Sequence, residues 1–92
     1  MGNDITYTAF VDNIDKNRTS AIRFHDKNDA VKFIKEHMRR KIGSSYMPYI
    51  ERFNSNFIKG YRDKNNKFYF YIVKFTEIGN IKVNCEPVLF EL

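Results

Sequence analysis

The chain has 92 residues, 16 basic against 11 acidic side chains and a formal charge of +5, with nine Phe, six Tyr and no Trp. That length predicts one domain around one core, and only four Gly and two Pro argue against a disordered or low-complexity chain. A single cysteine, Cys85, excludes an internal disulfide and suits a reducing cytoplasm.

No apolar run approaches the ~20 residues a membrane helix needs. The start, Met1-Gly2-Asn3-Asp4, lacks the apolar stretch of a secretory leader. The expectation is a cytoplasmic protein with no membrane partner.

Asp4 to Asp12 alternates, with Ile5, Tyr7, Ala9 and Val11 on one face and Thr6, Thr8, Phe10 and Asp12 on the other. This predicts a half-buried strand. Asn13 to Thr19 has turn chemistry. Ser20 to Phe24 reads as a second strand, completing an antiparallel hairpin. Asp26 is a helix N-cap with Asp29 three residues on. The helix should run to about Ile42 and stop at Gly43. Its apolar stripe is Val31, Ile34 and Met38, extended by Ala30 and Ile42.

Ser44 or Ser45 can cap a second helix with Tyr46, Tyr49, Ile50 and Phe53 on its apolar face. Phe57 to Arg62 then reads as a strand, Asp63 to Asn66 as a turn, and Lys67 to Ile78 as the strongest strand. Gly79-Asn80 signals a two-residue hairpin into Ile81 to Leu92. That turn pairs Ile78 with Ile81, Glu77 with Lys82 and Thr76 with Val83. Apolar parity along the last strand switches from odd to even positions, which predicts a bulge near Glu86-Pro87. The expected core face then holds Phe68, Phe70, Ile72, Ile78, Ile81, Val83, Cys85, Val88, Phe90 and Leu92, with Lys74 as its misfit. The other face carries Tyr69, Tyr71, Val73 and Phe75. The fold class is α+β: a mainly antiparallel sheet of about five strands with two helices on one face, in the order β-β-α-α-β-β-β.

The charge sits in the middle of the chain. Residues 31–67 hold ten basic and three acidic side chains, net +7, and each flanking segment is net −1. Like charge so concentrated repels itself and favours a polyanionic partner. Lys32, Lys35, Arg39, Arg40 and Lys41 form the helix part of this block, and Arg62, Lys64 and Lys67 border the Asp63–Asn66 turn. These are the candidate phosphate contacts. Tyr61, Tyr69 and Tyr71 are the candidate base contacts, because bases stack on sheet aromatics. The same aromatic face, Tyr69, Tyr71, Val73 and Phe75, equally suits a protein partner, a second copy of the chain, or burial under further structure.

The run Lys67-Phe68-Tyr69-Phe70-Tyr71-Ile72 approaches the signature of RNA-recognition motifs, but Phe68 and Phe70 stand where that motif has small residues, and the element order differs. Two His and one Cys do not supply metal-ligand spacing, no Gly-rich phosphate loop is present, and Cys85 on the core face would be inert. No catalytic residue, metal or cofactor is assigned. One catalytic alternative remains, a metal-independent endoribonuclease toxin using Arg39, Arg62, Tyr61, Tyr69 and His37, although such toxins begin with helices and this chain begins with a hairpin.

The Asn-, Lys-, Tyr- and Phe-rich composition and small size resemble the early or accessory proteins of AT-rich bacteriophages, in overall character and not through a motif. The resemblance implies a host-takeover or anti-defence role on a host factor. Two functional expectations follow. One is a basic nucleic-acid-binding protein, RNA favoured over DNA, that modulates a host factor. The other is an inhibitor or adaptor that docks on a host defence or toxin protein through its aromatic sheet face.

Overall fold

A computed structural model describes residues 3–42, 50–55, 58–65 and 67–92. The described elements are β1 (Asp4–Asn13), β2 (Arg18–Phe24), α1 (Lys27–Ile42), β3 (Glu51–Asn54), β4 (Lys59–Arg62), β5 (Phe68–Ile78) and β6 (Ile81–Val88). All pairings are antiparallel and join six strands into one sheet.

β5 is the hub of this sheet. One of its edges pairs with β1 from Phe68 to Glu77. The other edge is shared end to end: β4 pairs with Tyr69 to Tyr71, and β6 takes over from Ile72. β2 lies outside β1, and β3 lies outside β4. Two turns need a left-handed residue: Asn17 adopts a φ of 52° in the β1–β2 turn and Gly79 a φ of 64° in the β5–β6 turn, a region Asn and Gly enter most easily.

The helix is built as its sequence dictates. Asp26 Oδ1 accepts the Asn28 N–H at 2.7 Å, capping the first turn. Arg39, Arg40 and Lys41 close the last turn, where cations offset the carbonyl end of the dipole. Ala30, Ile34 and Met38 are fully buried against Ala9, Val11, Phe70 and Ile72 of the sheet. Alanines on both partners, Ala9 and Ala30, allow a close approach. Beyond the helix, Ile50, Tyr61 and Phe90 complete the same core.

The expected five-strand sheet with two helices is corrected in three ways. First, there are six strands and, among the described residues, one helix, in the order β-β-α-β-β-β-β. Glu51–Asn54 is strand β3, paired to β4. The spacing of Tyr46, Tyr49, Ile50 and Phe53 imitates a helical stripe, but ladder pairing with β4 fixes the end of that segment as strand. The proposed cap and first turn, residues 43–49, lie outside the described residues.

Second, the irregularity in the last hairpin falls nearer its turn. Ile78 pairs with Ile81 and Glu77 with Lys82 as expected, but Thr76 pairs with Asn84, so Val83 is the extra residue. Third, this moves Cys85 opposite Phe75, where it is exposed and not in the core. Ile78, Ile81, Val83 and Leu92 are also exposed, at 50%, 69%, 52% and 47%. The molecule measures 46 × 22 × 21 Å, and among the described residues no helix packs beneath the β5–β6 tip.

Candidate nucleic-acid interface

Residues paired directly across an antiparallel ladder point to the same face. The register Phe10↔Tyr71, Thr8↔Val73 and Thr6↔Phe75 therefore places Phe10, Tyr71, Val73 and Phe75 together, opposite the helix. Arg62↔Tyr69 and Gly60↔Tyr71 add Arg62 and Tyr69 to that face. Phe53, across from Gly60, joins them. Among the described residues no helix covers this side.

Two ring pairs dominate it. Phe10 and Tyr71 stack with centroids 5.0 Å apart and planes 14° apart, and Phe53 and Tyr69 meet at 5.2 Å with a 41° tilt. All four rings are partly exposed. Tyr71 is held by its hydroxyl, which donates to Asp12 Oδ2 at 2.9 Å, while Thr19 donates to Asp12 Oδ1 at 2.8 Å. Burial, followed by the Asp12 hydrogen bond, raises the Tyr71 pKa, so the phenol keeps its proton. Gly60 leaves the space these rings need. A Cβ there would press on the Phe70 carbonyl oxygen and come within 2.7 Å of the Tyr71 Cβ.

Cations line the margins of this face. Arg62 lies 3.6 Å from Glu51, Lys82 lies 4.5 Å from the Phe75 ring centroid, and Arg23 is exposed opposite Thr8. Two carboxylates on this side have side-chain partners: Asp12 holds Tyr71 and Thr19, and Glu51 faces Arg62. Sequence reasoning missed Phe10, Phe53 and Arg23 as members of this surface. The alternation of the first strand carried the signal for Phe10, whereas Phe53 was assigned to a helix.

The other expected site residues distribute differently. Lys32, Lys35, Arg39, Arg40 and Lys41 all lie on α1, across the sheet from Tyr69 and Tyr71. No single flat ligand can touch both sets. Tyr61 is 4% exposed and belongs to the core face. Its hydroxyl donates to the Phe90 carbonyl and accepts from Arg52 Nη2 at 3.2 Å, while Arg52 also pairs with Glu91 at 2.7 Å. Tyr61 is thus a tether for the C-terminal segment, and its expected base contact is corrected.

Buried Asp63 holds the start of β5 by accepting the Lys67 and Phe68 N–H groups at 2.7 and 2.9 Å. Lys64 is exposed, and Lys67 lies 3.8 Å from Asp15.

The five residues named for ribonuclease chemistry do not converge. His37 packs on Phe33 at 4.4 Å on the helix side and meets Arg40 at 3.3 Å, and Arg39 lies on the same helix. Tyr61 is enclosed in the core, and Tyr69 and Arg62 lie across the sheet. Burial, then the nearby Arg40 and Lys41 charges, lower the His37 pKa, with Glu36 opposing them. Among the described residues no group of three or more His, Cys, Asp or Glu side chains could hold a metal ion, and no helix is long and apolar enough to cross a membrane. No family model, curated protein or solved structure matches this chain.

Proposed function

We propose that the chain binds single-stranded nucleic acid, RNA ahead of DNA, across the helix-free face of its sheet. The observation that carries this reading is the combination of two partly exposed ring pairs, Phe10–Tyr71 and Phe53–Tyr69, with Arg23, Arg62 and Lys82 at the margins. Splayed bases stack on such rings for about 1–3 kcal/mol each, and marginal cations draw the phosphates. RNA leads because sequence-tolerant sheet platforms read single strands, the form in which RNA is most often recognised. The basic outer row of α1 supplies a second, non-specific attraction from behind. Action on a host factor, in the manner of a phage accessory protein, is the compositional part of the reading.

The test is anisotropy with a labelled single-stranded RNA over a range of salt. Tyr69→Ala should weaken binding about tenfold with little change in salt slope. Arg62→Ala should flatten the slope by about 0.7, one phosphate's share for a single strand. Wild-type protein that leaves the RNA free at low salt, or a Tyr69→Ala variant that binds equally well, overturns the proposal.

A second reading, docking on a host protein, draws on a different observation. Ile78, Ile81 and Val83 stand half or more exposed at the β5–β6 tip. Under that reading Val83→Lys abolishes capture of the protein partner while RNA affinity stays intact.

A further inference from the structure

Charge also gathers where the sequence block does not predict it. At the C-terminal end of α1, a cleft of about 190 Å³ opens between helix and sheet, lined by Val11, Asn13, Lys16, Arg18, Ser20, Lys41 and Phe68. Three of these residues are cations and none is an acid. Among the described residues, none of the three has an ion-pair partner.

The nearest acids in sequence are occupied elsewhere. Asp15 lies 3.8 Å from Lys67. Asp12 points to the opposite face, where it holds Thr19 and Tyr71. The carbonyl end of α1 contributes a partial negative charge at the rim, which Arg39, Arg40 and Lys41 offset in the same turn.

The register explains the arrangement. Val11↔Ser20 and Asn13↔Arg18 put these four residues on the helix side of the β1–β2 hairpin, and Asn13↔Phe68 brings the start of β5 beside them. Val11 and the partly exposed Phe68 ring make an apolar floor, and Asn13 and Ser20 add hydrogen-bonding groups. Water occupies about 30 Å³ per molecule in the liquid, so the cleft has room for a phosphoryl group and an attached sugar. Arg presents a planar fork to phosphate oxygens, and the two Lys ammonium groups add point charge.

We propose that this cleft binds a nucleoside monophosphate unit, its phosphate held by Lys16, Arg18 and Lys41 and its ring system against Phe68. The unit is a free nucleotide or the phosphorylated end of a strand. The site lies across the sheet from the stacking face and does not depend on it.

The test is calorimetric titration of the full chain with uridine monophosphate, uridine, and tetrauridylate with and without a 5′-phosphate. The monophosphate should bind at least about tenfold tighter than uridine, as expected when charge-assisted contacts to phosphate are gained. The paired substitution Arg18→Gln with Lys41→Gln should erase that difference. Both positions are exposed, so the melting temperature should hold, and Arg18→Gln alone should show a smaller loss in the same direction. Tyr69→Ala should leave the monophosphate affinity unchanged, which separates this site from the stacking face. A phosphorylated tetranucleotide that outcompetes the monophosphate identifies a strand end as the ligand, and equal affinities identify the nucleotide unit. Equal binding of monophosphate and uridine, or full affinity in the double variant, overturns the proposal.

Discussion

On the helix side of the two central strands, Ala9, Val11, Phe70 and Ile72 are no more than 4% exposed. One residue along the same strands, Phe10, Tyr71, Val73 and Phe75 remain partly open to solvent. The two faces are similarly apolar, but one is sealed by α1 and the other, among the described residues, has no helix over it. Apolar content alone therefore does not say which face is the core. The sealed face carries small Ala9 and meets Ala30 of α1 in the core, whereas the open face pairs Phe10 directly with Tyr71.

The strongest way to break this contrast is to cut one large ring from each face. Phe70→Ala should cost about 3–5 kcal/mol, as expected for a fully buried aromatic, and Phe75→Ala no more than about 1 kcal/mol. Urea unfolding followed by circular dichroism measures both, and equal losses would mean that the open face is also core. A middle-sized effect belongs to Gly60→Ala. Its methyl would meet Phe70 and Tyr71 backbone and Cβ atoms, so a loss of about 1–3 kcal/mol is expected. A neutral result would show that β4 can slide away from β5.

The smallest effect sharpens the helix side. An unfolded imidazole takes its proton near pH 6.5, and the His37 ring folded against Phe33 and beside Arg40 takes it only at lower pH. Between those values the unfolded chain binds more protons, so stability should fall as pH drops below about 6.5. His37→Gln should flatten that part of the urea-midpoint profile. An unchanged profile would assign the slope to other groups.

Local rules made much of the fold legible. The alternation of Asp4 to Asp12, the cap at Asp26, the stripe of Ile34 and Met38 and the Gly79-Asn80 turn each name their own element. Features decided by distant pairing were not legible. Residues 50 and 53 keep helical spacing with 46 and 49, but β4 draws Glu51–Asn54 into the sheet. Apolar parity changes near Glu86-Pro87 and points to a bulge there, whereas the ladder takes up its extra residue at Val83. The candidate surfaces show the same limit. A count of charge along the chain finds the outer row of α1, but it misses Lys16 and Arg18, which become significant only when the hairpin register sets them beside Lys41.

The end-to-end sharing of β5 has a consequence for synthesis on the ribosome. Thr8 pairs with Val73, near the opposite end of the chain. Until β5 emerges, β1 and β2 form a hairpin without a neighbour, and the apolar stripe of α1 has no Phe70 or Ile72 to rest on. Once β5 arrives, β1 and β4 can dock on one template, and β6 follows on the shared edge. Closing such distant contacts is slow, because the intervening loop must lose its freedom first. The nascent chain therefore completes its core late, and a stall before Phe68 leaves the stripe of α1 without the strand it packs on.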